Sequence, residues 1–175
     1  AKGQCAMCHQ TPGPDGAVAL KGKGASLCFS CHDRKMLSDL KLQHSPAKEG
    51  NCTACHSPHA SSNAKLLVRP GGELCFGCHK KDKFLSGSVH TPVKQGECLK
   101  CHSPHGGDRA AFLKASGVEL CYSCHKDKKK EFASGKTHAP IKNQGCAACH
   151  QPHSSPFPFQ VKKKVPELCL DCHKS

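Results

Sequence analysis

Apolar residues along this 175-residue chain form only short runs, and their pattern predicts short structural elements. An apolar stretch such as residues 17–20 falls far short of the roughly 20 residues that a membrane-spanning helix needs. Sixteen glycines and twelve prolines interrupt the sequence, which argues against long helices and regular sheets. We therefore predict mostly irregular coil with short α-helices, such as residues 80–85 and 126–133, and little or no β-structure.

The chain has few residues that could form a hydrophobic core. Hydrophobic residues make up 37% of the chain, but that figure includes 16 cysteines, and roughly 28% remains without them. The chain has no Trp and only one Tyr. A domain of this size normally buries a substantial aliphatic core. The composition excludes an ordinary enzyme domain of that kind and indicates that something other than side chains fills the interior.

The chain is strongly basic, with 26 Lys and Arg against 13 Asp and Glu. Such a balance usually suggests a nucleic acid or an anionic membrane as the partner. Only three of the bases are Arg and 5% of the residues are aromatic, whereas base recognition favours Arg and single-strand binding favours aromatic stacking. We expect no nucleic-acid partner and no membrane span, with the lysine runs at 126–130 and 162–164 in solvated loops. No signal peptide opens the sequence, so it is mature, a fragment or cytosolic.

Every cysteine belongs to a Cys-x-x-Cys pair, and a histidine follows every pair. The motifs occur two by two, and the first cysteines of the two motifs in each couple lie 23 residues apart. This spacing divides the chain into four repeats: 1–43, 44–89, 90–137 and 138–175. The pairs are Cys5 and Cys8, Cys28 and Cys31, Cys52 and Cys55, Cys75 and Cys78, Cys98 and Cys101, Cys121 and Cys124, Cys146 and Cys149, and Cys169 and Cys172. The histidines that follow them, here called proximal, are His9, His32, His56, His79, His102, His125, His150 and His173.

The Cys-x-x-Cys-His motif is the attachment signature of c-type haem. Two thiols three positions apart can reach both vinyl groups of one porphyrin, and the adjacent histidine lies beneath the iron. Cys₄ zinc sites and a disulfide scaffold are alternatives, but both leave the eight histidines without a role. A thioredoxin-like site would need a single pair on a βαβ frame. We predict eight covalently attached haem c groups that form the core, whose sixteen propionates would bring the net charge of +13 to about −3.

Six further histidines recur at fixed offsets from these motifs. Three, here called upstream, precede a first cysteine by eight residues, and three, here called downstream, follow a proximal histidine by three residues. The upstream histidines are His44, His90 and His138, and the downstream histidines are His59, His105 and His153. Because the offsets are constant, we predict that all six are distal axial ligands.

Chain length restricts which iron each distal histidine can serve. Residues three apart span at most roughly 10–11 Å, too little to place ligands on opposite faces of one haem. A downstream histidine must therefore reach another iron, most simply the second one of its own repeat. The predicted pairs are His59 with His79, His105 with His125, and His153 with His173. His44 has enough chain to reach the haem of His56 or a neighbouring one.

Six distal histidines cannot complete eight irons, and repeat 1 has none of its own. Candidate substitutes are Met36, Met7, the α-amine of Ala1, water, or a histidine outside these 175 residues. Met36 is attractive because His/Met ligation raises the reduction potential relative to His/His. Either methionine can instead pack against a porphyrin.

The sequence resembles the doubled Cys-x-x-Cys-His family of multihaem cytochromes, which includes the pentahaem electron donor to nitrite reductase and the decahaem outer-membrane conduit. The resemblance rests on the order His-x-Pro, Cys-x-x-Cys-His-x-Pro-His and Glu-Leu-Cys-x-x-Cys-His in the last three repeats. It implies an elongated protein with low-potential bis-histidine haems in alternating stacked and T-shaped contact. It also implies a periplasmic or extracellular location in a prokaryote.

Three functional hypotheses follow. The first is an octahaem electron carrier for respiratory or extracellular electron transport, without enzymatic activity, which exchanges electrons with redox partner proteins or extracellular acceptors. The second is a subunit of a head-to-tail homopolymer, an extracellular cytochrome filament. The third is a reductase that uses an open haem in repeat 1.

Overall fold

The computed structural model describes residues 4–174, which form short helices joined by coil. The longest of the described helices, α7, has nine residues. The α-helices are α1 Ala25–Cys28, α2 Lys35–Ser38, α3 Ser45–Lys48, α4 Gly71–Phe76, α5 Thr91–Lys94, α6 Gly117–Tyr122, α7 Lys126–Ser134, α8 Ala139–Asn143 and α9 Val165–Leu170. The 3₁₀ turns are Cys5–Met7, Cys52–Ala54, Ala64–Leu66, Lys81–Lys83, Cys98–Lys100, Ala110–Phe112, Cys146–Ala148 and Pro158–Gln160. The predicted class of coil with short helices is confirmed, and the two predicted helical turns correspond to α7 and Lys81–Lys83.

Each upstream histidine begins a short helix for a local reason. In repeat 2, His44 is extended (φ −66°, ψ 133°), and Pro46 lies in the first turn of α3. Proline suits that turn because its φ is already helical and its missing N–H has no partner there. Helix α3 is followed by Gly50 at φ +71°, a left-handed conformation that only glycine adopts without cost. The same order recurs around α5 and α8, so the upstream histidines have equivalent settings.

The described strands are only two residues long, and each ladder joins two different repeats. Strand β1 (Leu42–Gln43) is antiparallel to β3 (Gly106–Gly107), with Leu42 opposite Gly107. Strand β2 (Ser88–Val89) is antiparallel to β4 (Ser154–Ser155). In both ladders the strand before an upstream histidine pairs with the strand after the downstream histidine of the next repeat.

The chain divides into two compact units whose limits cut across the repeats. Unit 1 comprises the described residues up to Pro70 together with Pro104–Phe112, and therefore contains the β1–β3 ladder. Unit 2 comprises Gly71–Ser103 and the described residues from Leu113 onward, including the β2–β4 ladder. The segment that follows repeat 3's first motif, Pro104–Phe112, thus belongs to unit 1, although most of repeat 3 belongs to unit 2.

Neither unit has a core made of side chains. No hydrophobic residue is buried within residues 4–174. The buried positions in that range are Gly72, Gly106, Gly145 and Ser155, which supply little or no apolar surface. The interior therefore lacks the hydrophobic packing that stabilises ordinary domains, as the composition predicted. None of the described helices is long and apolar enough to cross a membrane.

Candidate cofactor-binding sites

All eight Cys-x-x-Cys-His motifs form the same tight turn. In each, the backbone N–H of the proximal histidine donates to the carbonyl of the first cysteine at 2.9–3.0 Å, and the second cysteine's N–H donates to that carbonyl at 3.1–3.2 Å. The first motif of every repeat forms a 3₁₀ turn, whereas the second follows or ends one of the helices α1, α4, α6 and α9. One turn therefore carries two thiols and an imidazole at every site.

The thiols do not form the alternative sites that cysteine content could suggest. None of the sixteen cysteines, which all lie within residues 4–174, forms a disulfide. Within residues 4–174, no group of three or more Cys, His, Asp or Glu side chains is placed to hold one metal ion, which counts against Cys₄ zinc sites. Burial, and then the neighbouring Cys146 thiol, raise the pKa of Cys121 to about 11. A thiol with a raised pKa is a poor nucleophile, so Cys121 lacks the reactivity of a redox-site thiol.

Backbone carbonyls fix the tautomer of proximal histidines. Nδ1 of His56 donates to the Lys65 carbonyl, and Nδ1 of His150 donates to the Phe159 carbonyl, both at 2.9 Å. A carbonyl oxygen can only accept, so Nδ1 carries the proton and Nε2 keeps a free lone pair for a metal. Lys65 and Phe159 have φ of 58° and 56°, left-handed values that cost energy for residues other than glycine. His9 differs, because its buried Nδ1 has no hydrogen-bond partner among the described residues.

Two upstream histidines are oriented in the same manner by the next repeat. Nδ1 of His44 donates to the Pro104 carbonyl at 2.9 Å, and Nδ1 of His90 donates to the Pro152 carbonyl at 3.2 Å. Each of these prolines belongs to a Cys-His-x-Pro-His segment. The proline recurs in the sequence at a fixed place, so this contact could have been predicted. The residues whose carbonyls accept from the proximal histidines, Lys65 and Phe159, share no recurring residue type and could not.

Histidine rings face one another among the described residues, and five of these pairs each join a proximal with an upstream or downstream histidine. The ring centroids are 5.9 Å apart for His9 and His59, 6.1 Å for His56 and His105, 6.1 Å for His90 and His125, 5.8 Å for His102 and His153, and 5.9 Å for His138 and His173. Two imidazoles that each bind one metal at about 2 Å from opposite sides have centroids roughly 6 Å apart. The five pairs therefore fit the two axial ligands of a haem iron.

The pairs correct the predicted partners of the downstream histidines. His105 faces the proximal histidine of the preceding repeat, His56, and not that of the second motif in its own repeat. His59 and His153 likewise face the first proximal histidines of the repeats before theirs. The physical reason is the strand pairing: the His105 carbonyl accepts from the His44 N–H at 2.9 Å, which holds the segment against the preceding repeat.

The prediction that both sites of repeat 1 lack a distal histidine is therefore wrong for His9, which His59 faces. His32 and His150 are two proximal histidines for which the described residues show no facing ring. Met36 is a poor substitute at His32, because it lies only four residues later within α2 and its N–H donates to the Asp33 carbonyl at 3.3 Å. The turn that this hydrogen bond closes shortens the span from His32 to Met36, which keeps Met36 on the near side.

A comparison with known protein families assigns the chain to one of them. The model of the doubled CXXCH motif matches residues 1–37, 44–84, 90–130 and 138–175, most of the sequence. The chain belongs to the doubled CXXCH motif family. It is thus a multihaem c-type cytochrome, whose motifs bind haem c covalently and serve electron transfer. A comparison with curated proteins gave no match.

Burial favours the neutral form of two downstream histidines. Burial, and then the charge that His56 could carry, lower the pKa of His105. Burial and the facing His102 lower the pKa of His153 in the same way. A lower pKa favours the neutral imidazole, which is the form that binds iron.

Close backbone contacts bring consecutive haem sites together across repeat boundaries. A Cβ placed on Gly50 of repeat 2 would lie 2.6 Å from the Ala25 Cβ of repeat 1, so only glycine permits this approach. The contact places the Cys28 thiol beside the Cys52 thiol, and burial with this neighbour raises the pKa of Cys28. An equivalent contact at the start of repeat 4 places Cys121 beside Cys146. The second site of one repeat thus adjoins the first site of the next.

Proposed function

We propose that this cytochrome is an octahaem electron carrier with one haem c on each Cys-x-x-Cys-His motif. The two cysteines of each motif would form thioether bonds, and the proximal histidine would bind the iron through Nε2. At the five facing pairs, the upstream or downstream histidine would supply the second axial ligand.

The observation that carries this proposal is the set of five imidazole pairs at 5.8–6.1 Å. When bound, the haems supply reversible one-electron exchange at iron. An imidazole on both faces leaves no position for a substrate, which favours electron transfer over catalysis. Two histidine ligands also give a lower reduction potential than His/Met ligation.

The chain's own groups would tune and order the sites. The Nδ1–H donors of His56 and His150 hold their rings in place and increase the basicity of the ligating nitrogen. The adjoining thiols Cys28 and Cys52, and Cys121 and Cys146, support a path that follows the order of the motifs along the chain within each unit. The 26 Lys and Arg would offset the propionate charge.

Three measurements on the purified protein test the proposal. The mass of the denatured chain should exceed the sequence mass by eight haems, because thioether bonds survive denaturation. Redox titration should take up eight electrons per chain, and ferric spectra should be mainly low-spin. A smaller mass increment, or a mainly high-spin spectrum, would contradict the octahaem bis-histidine proposal.

Haem c cytochromes are typically exported, so we place the protein in the periplasm or outside the cell. Assembly into a filament stays a prediction from the sequence. A reductase with an open haem in repeat 1 is also still a prediction, although His59 opposite His9 counts against it at that site.

A further inference from the structure

The segment after the first motif of each repeat folds back onto that motif in one common register. In all four repeats the proximal histidine forms an antiparallel bridge with the residue eleven positions later: His9 with Leu20, His56 with Leu67, His102 with Leu113 and His150 with Val161. The neighbouring hydrogen bond also recurs, since the Gln10 N–H donates to the Ala19 carbonyl at 2.8 Å as the Ser57 N–H does to the Leu66 carbonyl at 2.7 Å. Repeat 1 therefore keeps the register of the other repeats.

One position within this register differs between the repeats, the residue nine positions after the proximal histidine. Lys65, Ala111 and Phe159 occupy it in repeats 2–4, and all three are left-handed, with φ of 58°, 52° and 56°. The carbonyls of Lys65 and Phe159 accept from Nδ1 of their proximal histidines at 2.9 Å. In repeat 1 the position is occupied by Val18, which is not among the left-handed residues of the described range.

The side chain of Val18 explains the difference. A β-branched residue pays a larger steric cost in the left-handed conformation than Lys, Ala or Phe does. Because Val18 does not adopt that conformation, its carbonyl is not turned toward the His9 ring. Nδ1 of His9 is buried and has no hydrogen-bond partner among the described residues. Residues 10–20 thus bridge the motif as in other repeats but leave its imidazole without an acceptor.

The missing acceptor changes how strongly the imidazole donates to an iron. A hydrogen bond from Nδ1–H makes Nε2 more basic. A more basic ligand stabilises ferric over ferrous iron and so lowers the reduction potential. The sites of His9 and His56 are matched in their ligands, because both rings are half-buried and face a downstream histidine, at 5.9 and 6.1 Å. With equal ligand pairs, this hydrogen bond separates the two potentials.

We propose that Val18 is a positioning residue that gives the haem of His9 a higher reduction potential than the haem of His56. Val18 acts by withholding a backbone carbonyl from the His9 ring, and its side chain needs no contact with the iron. The inference rests on the proposed attachment of haem and on the proposed axial roles of the histidines.

The difference in potential gives electron transfer within unit 1 a direction. The Cys28 thiol interacts electrostatically with the thiols of both Cys8 and Cys52, so the second site of repeat 1 connects the sites of His9 and His56. One electron leaves the His56 site, which is oxidised, and arrives at the His9 site, which is reduced, without a change in bonds or protons. Electrons that enter unit 1 therefore collect at His9.

Redox titration of the haem-loaded protein tests this proposal with two opposite substitutions. Val18→Gly permits the left-handed conformation and should lower the ratio of reduced to oxidised haem about tenfold for one eighth of the haem, a shift of about 59 mV. Lys65→Val disfavours that conformation and should raise the ratio about tenfold for a different eighth. The fraction that each variant loses marks the original potential of its haem. The fraction lost in Val18→Gly should lie at least about 59 mV above the fraction lost in Lys65→Val.

Matched controls separate the backbone effect from charge and side-chain volume. Val18→Thr stays β-branched and should leave the titration unchanged. Lys65→Ala loses the same charge as Lys65→Val but suits the left-handed conformation, as Ala111 does, and should shift no haem by more than about twofold in the ratio. NMR of the reduced protein gives a second readout, because the Nδ1 proton of His9 should exchange with solvent at least tenfold more slowly in Val18→Gly. The intact mass should show the same haem count in all four variants.

Three results would overturn the inference. They are two lost fractions that titrate together or in the reverse order, a Lys65→Val titration identical to that of Lys65→Ala, and an unchanged potential in Val18→Gly. Failure of the proposed function looks different, because the unmodified protein would then lack the eight haems or the low-spin majority.

Discussion

Replacement of His105 by methionine tests the assignment of axial ligands most directly. The imidazole of His105 faces His56 at 6.1 Å, so His105→Met should change the haem held by His56 from His/His to His/Met ligation. An earlier expectation from the sequence, that His105 serves the haem of His125, places the change at another iron. The variant therefore separates the two assignments.

The expected magnitude is one site in eight. The His105 backbone carbonyl, which accepts from the His44 N–H at 2.9 Å, and the Pro104 carbonyl, which accepts from the His44 ring, both survive the substitution. The junction should therefore persist, and about one eighth of the haem should move to higher potential. The shift should be on the order of 0.2 V, within the roughly 0.8 V that axial ligands span.

The assay is a spectroelectrochemical titration together with near-infrared magnetic circular dichroism, which separates a nitrogen–sulfur ligand pair from two nitrogens. His153→Met, whose ring faces His102 at 5.8 Å in unit 2, is the matched control and should give an equal change. The intact mass should show an unaltered haem count in both variants.

A double variant decides which iron has changed. His105 faces His56 and not His125, so His105→Met combined with His125→Met should alter two different irons and change about two eighths of the haem. If this double variant changes only one eighth, His105 and His125 bind the same iron and the assignment made here is wrong. Loss of the whole redox envelope in His105→Met alone would show that the ligand is essential to the fold.

Three further predictions concern backbone geometry, and denaturant unfolding of the haem-loaded protein measures each. Gly106→Ala should lower the unfolding free energy by about 2 kcal/mol and convert one haem to high-spin, because φ is +147° and a Cβ would overlap the facing strand. Gly107→Ala, with 3.6 Å of clearance, should lower the unfolding free energy by less than about 1 kcal/mol, and equal losses in the two variants would refute this reasoning. Gly50→Ala should lower the unfolding free energy by about 1–3 kcal/mol more than Gly16→Ala does. Both glycines have a positive φ, but only a Cβ on Gly50 would contact a neighbour, the Ala25 Cβ at 2.6 Å. Lys65→Gly should raise the unfolding free energy by about 0.5 kcal/mol because φ is 58°, and Lys65→Val should lower it by about 1 kcal/mol; the reverse order would contradict strain at this residue.

The sequence was a good guide to features that depend on local chemistry. Glycine and proline spacing predicted the short helices, and the predicted segment 126–133 corresponds to α7. The motif spacing identified eight equivalent attachment turns, which all share the same hydrogen bonds. The deficit of apolar residues correctly predicted an interior without hydrophobic side chains.

The ligand partners depended on contacts that local patterns do not encode. Strand β3 consists of Gly106 and Gly107, residues without strand propensity, so nothing in the sequence marked it as a strand. Its pairing with β1 nevertheless decides which iron His105 faces. A signal was present in the spacing, since the upstream histidines His90 and His138 precede their facing rings by the same 35 residues.

The junctions explain how a chain with so little hydrophobic core can specify one arrangement. At the junction in unit 1, a single short segment supplies a strand to β1, a carbonyl to the His44 ring and an imidazole opposite His56. A shift of one residue in the ladder would turn the His105 side chain to the opposite face, so register and ligation select each other. Under the proposed ligation, the first haem of a repeat would be complete only when the next repeat has docked. Stability then resides in contacts between neighbouring repeats, as in other repeat proteins, and an isolated repeat would keep its attachment turns but lose a ligand.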